Sequence, residues 1–300
     1  METNHHDHHH VHTVTSLNGI YIIAIVLNLS FVAVEAAVGF LSDSVGLLSD
    51  AGHNLSDVFS LLLAMLAFRL SRSHATGKFT YGFRKTSVLI SLLNAVILLA
   101  AVGAIILESI RKFREPVPVD GAAMTWTAAA GILVNGITTI MLMKQQKHDI
   151  NTRGAFLHMA ADTLVSVGVV ISGIIISVTG FTAVDPLIGL VVAAVILVSS
   201  WKLLTESLRM SIDAVPENIN PEEIVSMMSG EPGVAGVHHV HIWAISTVEV
   251  ALTAHVVISE PSRMEEIKSS LKQRLSSAGI SHSTLEIEFA GSQCPDMECV

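Results

Sequence analysis

Two histidine–aspartate pairs stand in strongly apolar parts of the chain: His53 with Asp57, and His158 with Asp162. The residues of each pair are four apart, so both side chains lie on one face of an α-helix, about one turn from each other. If the two helical faces meet, they offer two imidazoles and two carboxylates. Zn²⁺ accepts this number and type of ligand in tetrahedral sites. The pairs therefore predict a single metal site made by two helices.

The competing interpretation is that such histidines are only hydrogen-bonded packing residues. A carboxylate in the middle of a bilayer costs at least about 2.5–3.5 kcal/mol on insertion scales, so two pairs without a partner cation would carry a large penalty. A bound metal offsets that penalty. Because metal ligands must be deprotonated, metal binding expels protons and metal release readmits them. The pairs thus predict a divalent metal that crosses a membrane in exchange for protons.

The elements that position these residues are six apolar stretches, at 17–41, 47–70, 86–108, 122–143, 155–180 and 184–208. A chain of 300 residues that is 51% hydrophobic and 14% charged is too apolar for an ordinary soluble domain. The first stretch follows a histidine-rich leader without a basic region, so it is predicted to be a retained span and not a cleaved signal. The sequence therefore predicts an α-helical membrane protein with six transmembrane helices.

Basic residues concentrate in two of the loops, the one between the second and third stretches and the one between the fourth and fifth. These residues are Arg69, Arg72, Lys78, Arg84, Lys85, Lys144, Lys147 and Arg153. The positive-inside rule places both loops, and with six spans both termini, in the cytoplasm. The net charge of −9 includes no basic run, which excludes nucleic acid as a partner. The short loops indicate a bacterial or archaeal plasma membrane, although an organelle remains an alternative.

The composition changes after Asp213, where Pro216 and Pro221 end the apolar pattern. A helix is predicted from Pro221, strands over 234–245 and 248–258, an amphipathic helix over 263–278 and a last strand over 283–289. This order makes a small α+β domain. We divide the chain into a leader (1–16), a transmembrane domain (17–210), a cytoplasmic domain (211–290) and a cysteine-containing tail (291–300).

Further metal-ligand types lie outside the apolar stretches. Strand alternation places His239 and His241 on one face and His238 on the other. Cys294 and Cys299 predict a zinc site in the tail, for which a frayed terminus is the alternative. The leader carries six histidines, which we expect to gather zinc weakly: His5, His6, His8, His9, His10 and His12.

Taken together, the motifs resemble those of the cation diffusion facilitator family, in its zinc-transporting branch. The segments that carry the resemblance are SDAGHNLSD (49–57), TYG (80–82), LHMAAD (157–162), DPLIG (185–189) and VHHVHIW (237–243). The resemblance implies a homodimer, embedded in lipid, that exports Zn²⁺ from the cytoplasm in exchange for H⁺ by alternating access. It also implies that the histidine–aspartate pairs form the transport site, that the cytoplasmic domain is ferredoxin-like, and that no organic cofactor takes part.

The resemblance extends to two further groups of residues. It implies a charge interlock between Lys85 and Asp213 near the dimer axis. In relatives, positions similar to His238, His255 and the last-strand residue Glu288 bind metal at the cytoplasmic dimer interface, so Zn²⁺ is also expected there as a structural ion. The alternative is that these are half-exposed strand histidines. Some relatives bind a second metal in the loop before the third span, where this chain has phenylalanines, so no site is predicted in that loop.

Two other classes of protein compete with a transporter. An intramembrane metalloenzyme needs an open coordination position and a general base, but the sequence lacks His-Glu-x-x-His and four ligands fill a tetrahedral shell. We therefore predict that the chain is not an enzyme. A membrane-tethered metal sensor would leave the intramembrane carboxylates unexplained. Among metals, the imidazole–carboxylate set favours Zn²⁺, with Cd²⁺ or Co²⁺ as further substrates.

Overall fold

The computed structural model describes residues 11–41, 45–71, 74–115, 121–147 and 149–289. Contacts between these residues divide the chain into two compact units. The first unit comprises the described residues up to Arg69 together with Ile90–Leu204, and the second comprises Leu70–Leu89 together with the described residues from Thr205 onward. The first unit is helical, whereas the second contains a small sheet.

Six long helices occupy the places of the six predicted spans. They are α1 (Val11–Leu41), α2 (Val45–Leu70), α3 (Thr86–Arg114), α4 (Gly121–Met143), α5 (Ile150–Thr179) and α6 (Val184–Ser211). Within the described residues, four helices are long and apolar enough to cross a membrane: α1 over Asn18–Val38, α3, α5 and α6. Ala128–Met143 of α4 is a further apolar helical stretch among the described residues. The predicted helical membrane domain is confirmed.

Helix α5 begins and ends at residues suited to those positions. The side chain of Asp149 accepts hydrogen bonds from the backbone N–H groups of Asn151 and Thr152, which otherwise lack partners in the first turn. At the other end, Gly180 adopts a φ of 70° and donates its N–H to the carbonyl of Ile176. Glycine reaches this left-handed conformation without a steric cost. The limits of the helix that bears His158 and Asp162 are therefore set locally.

Buried hydrogen bonds tie α1 to two other helices. The Tyr21 hydroxyl lies 2.8 Å from Oγ1 of Thr152 on α5. Asn28 donates from Nδ2 to Oγ1 of Thr138 on α4 over 2.9 Å. Polar side chains commonly join membrane helices in this way, since lipid offers no competing partner. The bonds hold α1 against α4 and α5.

The sheet domain follows the predicted order of helix, strand, strand, helix, strand. Its elements are α7 (Pro221–Ser229), β1 (Val234–Ala244), β2 (Val250–Ile258), α8 (Met264–Ser277) and β3 (Ile280–Phe289). The central strand β2 pairs antiparallel with β1 and parallel with β3. The helices and the sheet share a core that includes Met228, Leu252, Ile258, Leu271 and Leu275, all with negligible exposure. This arrangement confirms the predicted ferredoxin-like α+β domain.

Strand β1 departs from regular alternation at its histidines. His238 pairs with His255 and His241 pairs with Thr253, so three steps along β1 match two steps along β2. The extra residue forms a bulge in which His239 has a φ of 50°. The prediction that His238 and His239 face opposite sides is therefore wrong: the ring centroids of both lie close to that of His255, at 5.2 and 4.9 Å.

Candidate metal centre

Asp57 from α2 meets His158 and Asp162 from α5. Nε2 of His158 lies 2.9 Å from Oδ1 of Asp57 and 3.7 Å from Oδ2 of Asp162. The three residues each offer one ligand atom, and these atoms all lie within 4.8 Å of one another. The side chain of Asp57 is fully buried, and those of His158 and Asp162 are 6% and 14% exposed. Three metal-ligating groups thus converge in a largely dry part of the helical unit.

Apolar packing beside these residues sets the register between the two helices. Leu61 lies one turn beyond Asp57 on α2, and Met159 follows His158 on α5. Both side chains are fully buried in one cluster together with Tyr21 of α1. Because the apolar and polar positions on each helix are fixed relative to one another, packing of the cluster also brings the polar faces together.

The structure brings together three of the four residues that the sequence predicts at this site. His53 lies one turn before Asp57 in α2, but its side chain falls outside the described part of the chain. Its role as the fourth ligand stays a prediction. The i, i+4 spacing within α5 places His158 and Asp162 next to each other, as a helix requires.

The charges of this cluster suit a divalent cation. Two ionised carboxylates in a low-dielectric environment repel each other and lose their hydration, so the apo site needs positive charge or bound protons. Either a divalent metal or protons supply that charge. The imidazole nitrogen that faces both carboxylates has one lone pair, which binds a proton or a metal ion but not both at once.

Glu35 is a buried carboxyl group close to the metal-site sequence. Oε2 of Glu35 on α1 accepts a hydrogen bond of 2.8 Å from Nδ2 of Asn54 on α2. Asn54 directly follows His53 and precedes Asp57 by three residues. The structure therefore pairs this buried carboxyl group with a neighbour on α2.

A second group of ligand types lies in the sheet domain. Oε1 of Glu288 is 2.7 Å from Nδ1 of His255 and 3.5 Å from Nε2 of His238. The three ligand atoms lie within 4.8 Å of one another. On the other edge of the His255 ring, Nε2 is 3.4 Å from Oε2 of Glu286. The predicted cytoplasmic ligands are therefore neighbours across β1, β2 and β3.

His239 also lies beside this second cluster. The sequence did not indicate this position for His239. Its ring stacks on that of His255, with an interplanar angle of 24°. The contact depends on the bulge in β1, and no glycine marks that bulge at the histidines. Positive φ at a histidine is uncommon, so a sequence pattern carries little signal for it.

The ammonium group of Lys85 uses three hydrogen bonds inside the second unit. It donates to Oδ1 of Asp213 at 2.5 Å and to the carbonyl oxygens of Met210 and Ala244 at 2.8 and 3.0 Å. Nearby, Arg84 forms an ion pair of 2.6 Å with Glu249. The structure thus brings together the two residues of the implied interlock and surrounds Lys85 with acceptors.

We expect Asp213→Asn to lower the free energy of unfolding by only about 0.2–1 kcal/mol, because an ion pair this exposed is screened by water and salt. Asparagine tolerates the φ of 61° found at this position, so the change isolates the charge. Lys85→Ala should cost more, about 1–3 kcal/mol, because two carbonyl oxygens also lose their donor. Thermal unfolding of the full chain in detergent, at low and high salt, measures both. Equal losses of stability in the two variants would contradict the expectation that the carbonyl bonds of Lys85 contribute more than its ion pair with Asp213.

Other predicted ligands lie outside the described residues. Cys294 and Cys299, and the leader histidines up to His10, fall in this group. The tail zinc site remains a prediction. His282 on β3 is a candidate third ligand of that predicted site, and its ring lies 5.5 Å from that of Tyr81 in an edge-on contact.

Both the helical part of the chain and the sheet domain match known protein families. Residues 21–210 match the model of the cation efflux transmembrane domain, and residues 216–289 match that of the cytoplasmic domain of cation efflux proteins. These two ranges contain the metal centre in α2 and α5 and the histidine cluster of the sheet domain, respectively.

Several curated relatives align over most of their length. The chain is 32% identical to the cadmium, cobalt and zinc/H(+)-K(+) antiporter of Bacillus subtilis, over 93% of this chain and 91% of the relative. It is 35% identical to the zinc transporter ZitB of Escherichia coli, over 89% and 86%, and 32% identical to the metal cation efflux system protein CzcD of Cupriavidus metallidurans, over 91% and 87%. The chain therefore belongs to the cation efflux, or cation diffusion facilitator, family of integral membrane transporters, and it is not an enzyme.

Proposed function

We propose that this protein moves Zn²⁺ out of the cytoplasm in exchange for protons, by alternating access of the centre formed by Asp57, His158 and Asp162. One observation carries the proposal: Nε2 of His158 lies within 2.9 and 3.7 Å of the two carboxylates. The same atoms therefore hold either protons or a metal ion. Arrival of a metal from one side displaces protons, and arrival of protons from the other side displaces the metal.

Each residue has a distinct part in this exchange. Asp57 and His158 form the inner, more buried contact, and the incoming ion replaces the interaction between them. Asp162 is the more exposed ligand. We assign His53 as the fourth ligand because it lies one helical turn from Asp57. Four ligands complete the tetrahedral shell that Zn²⁺ prefers.

The donor set also supports a choice among metals. Imidazole with carboxylates favours Zn²⁺, Co²⁺ and Cd²⁺ over Mg²⁺ and Mn²⁺. The Escherichia coli relative is named for zinc, and the Bacillus subtilis relative for cadmium, cobalt and zinc with H⁺ and K⁺ as counter-ions. We therefore assign Zn²⁺ as the main substrate and Cd²⁺ and Co²⁺ as further substrates.

The transporter is proposed to act as a homodimer with both termini in the cytoplasm, in a bacterial or archaeal plasma membrane. In this proposal the 17–210 segment carries the ion across the membrane. The 211–290 segment, the leader and the tail all lie on the cytoplasmic side. The match to the cytoplasmic domain of cation efflux proteins supports the assembly, and the basic loops support the orientation. The contact between Lys85 and Asp213 is proposed to act as the interlock near the dimer axis.

A resident Zn²⁺ is proposed at the cytoplasmic cluster. His238, His255 and Glu288 supply three ligands of the right types, within one coordination sphere of one another. A partner protomer or water would complete the shell. Zinc there would stabilise the folded sheet domain, since metal affinity adds to the folding free energy.

We expect His255→Ala to remove about one tightly held zinc per chain, because the variant loses the nitrogen that faces Glu288. Metal analysis of the purified full chain measures the loss. His74→Ala is the matched control, since this exposed histidine belongs to neither ligand cluster of the described residues. Equal zinc content in parent and His255→Ala would remove the resident ion from the proposal.

Zinc uptake into sealed proteoliposomes under an imposed pH gradient tests the exchange itself. The parent protein should show uptake that follows the gradient, with simultaneous proton movement in the opposite direction, and collapse of the gradient should stop net accumulation. Uptake that ignores the gradient would exclude proton exchange. Zinc binding without any uptake would favour the membrane-tethered sensor.

A further inference from the structure

Asn94 is a buried amide without a hydrogen-bonding partner in the described part of the chain. Its side chain lies on α3 and the residue is 4% exposed, yet neither its Oδ1 nor its Nδ2 is bonded. By comparison, the amide of Asn28 donates to two oxygens, that of Thr138 and the carbonyl of Ala24. Buried amides in folded proteins are nearly always bonded, so an unbonded one calls for a ligand.

The position of Asn94 is one turn from the metal centre. A β-carbon placed on Gly154 of α5 would lie 3.9 Å from Nδ2 of Asn94, and 3.5 Å from Leu203 of α6. Gly154, His158 and Asp162 follow one another at intervals of four residues, so they share one face of α5. The amide therefore adjoins this face roughly 6 Å before His158, on the side of the helix N-terminus.

A second unbonded polar group comes from α6. Ser200 is fully buried, and its hydroxyl has no bonding partner among the described residues. Gly154 adjoins Leu203 whereas Gly168 adjoins Ile188, so α6 runs antiparallel to α5. Ser200, three residues before Leu203, thus lies at about the level of His158.

An apolar cluster lies next to this level of the interface. Val102 of α3, Ala161 of α5 and Ala193 and Ile196 of α6 share one buried cluster. Asn94 and Ser200 therefore lie in the half of the interface between the N-terminal end of α5 and the metal centre. In the orientation proposed above, that half faces the cytoplasm.

We propose that Asn94 and Ser200 form a hydration site for the divalent cation on its way between the cytoplasm and the metal centre. This inference rests on the proposed function. A hydrated Zn²⁺ has to exchange its water for imidazole and carboxylate groups, and an amide can accept a hydrogen bond from metal-bound water and donate one to released water. Because both groups are neutral, they lower the barrier to passage without holding the ion.

The test is Asn94→Leu, which keeps the approximate size of the side chain and removes its polarity. The Asn94 amide makes no hydrogen bond within the described residues, so its replacement by leucine removes no stabilising bond. The melting temperature should therefore stay the same or rise. The maximal rate of zinc uptake into proteoliposomes should fall about tenfold, while equilibrium zinc binding by the full chain stays within about twofold. Asn94→Ser, which supplies a hydroxyl that can bond to water, should recover at least about half of the rate.

Asn28→Leu is the matched control, because it removes an amide that is bonded. We expect it to lower the melting temperature through loss of the bond to Thr138. If Asn94→Leu behaves in the same way, the amide is structural and the hydration site is rejected. A parental rate in Asn94→Leu would also reject it, and loss of equilibrium zinc binding would make Asn94 a ligand instead.

The two proposals fail separately. If the parent shows no zinc uptake driven by a pH gradient, proton exchange is rejected whatever the Asn94 variants do. If the parent does show this uptake, only the rates of Asn94→Leu and Asn94→Ser decide on the hydration site.

Discussion

Replacing Asp57 with asparagine is expected to reduce zinc uptake by more than about 100-fold while leaving the protein folded. The side chain is fully buried and lies 2.9 Å from the nitrogen of His158. Asparagine keeps the shape and one oxygen, but it lacks the negative charge that offsets a divalent ion. Even residues that only support metal ligands are worth about 10–100-fold in metal affinity or activity, and a ligand contributes more.

The same substitution at Asp162 should have a smaller effect, about 10–100-fold. Its carboxylate is 3.7 Å from the His158 nitrogen and partly exposed, so water can replace part of what is lost. Uptake rates and equilibrium zinc binding, measured side by side in detergent and proteoliposomes, separate a defect in binding from a defect in movement.

Asp149→Asn is the control for both variants. It makes the same chemical change on α5, but at the residue that caps the helix, where asparagine and aspartate are about equally suitable. We expect zinc uptake close to that of the parent. Unchanged uptake in Asp57→Asn, with Asp149→Asn also active, would move the transport pathway away from α2 and α5.

The convergence of Asp57, His158 and Asp162 was predictable from the sequence, because helical periodicity is a local property and the cost of each buried charge adds to that of the others. The spacing of His158 and Asp162 fixes their proximity within one helix. The partnership of Asp57 with His158 followed from a less direct argument, that isolated carboxylates are too costly in a membrane. The order of elements after Asp213 was readable for a similar reason, since alternation and amphipathic periodicity are properties of short segments.

Features that depend on several segments at once were not predictable. The bulge that turns His239 towards His255 arises from a pairing between two strands, and nothing in the histidine run specifies it. The unbonded amide of Asn94 is recognisable only when the neighbouring residues of α5 and α6 are known. Lys85 and Asp213 are distant in sequence and partly exposed, so only the family resemblance paired them.

Replacement of Glu35 is expected to have the second large effect on zinc uptake, because its hydrogen bond to Asn54 is lost. Glu35→Ala should reduce zinc uptake by about 10–100-fold, because Asn54 loses an acceptor and the stretch of α2 from His53 to Asp57 loses a tie to α1. Glu35→Gln keeps an oxygen that accepts from Asn54 but cannot ionise. We therefore expect Glu35→Gln to transport zinc within about twofold of the parent.

The pH dependence of uptake separates positioning from proton transfer. If Glu35 only orients α2, the Glu35→Gln variant should show the same pH profile as the parent, since the groups proposed to exchange protons with the metal are His158 and the two aspartates. Asn54→Ala should then resemble Glu35→Ala, because it breaks the same bond from the other side. If Glu35→Gln is as slow as Glu35→Ala and its profile is displaced, the carboxyl group itself carries a proton, and the exchange involves a residue outside the metal centre.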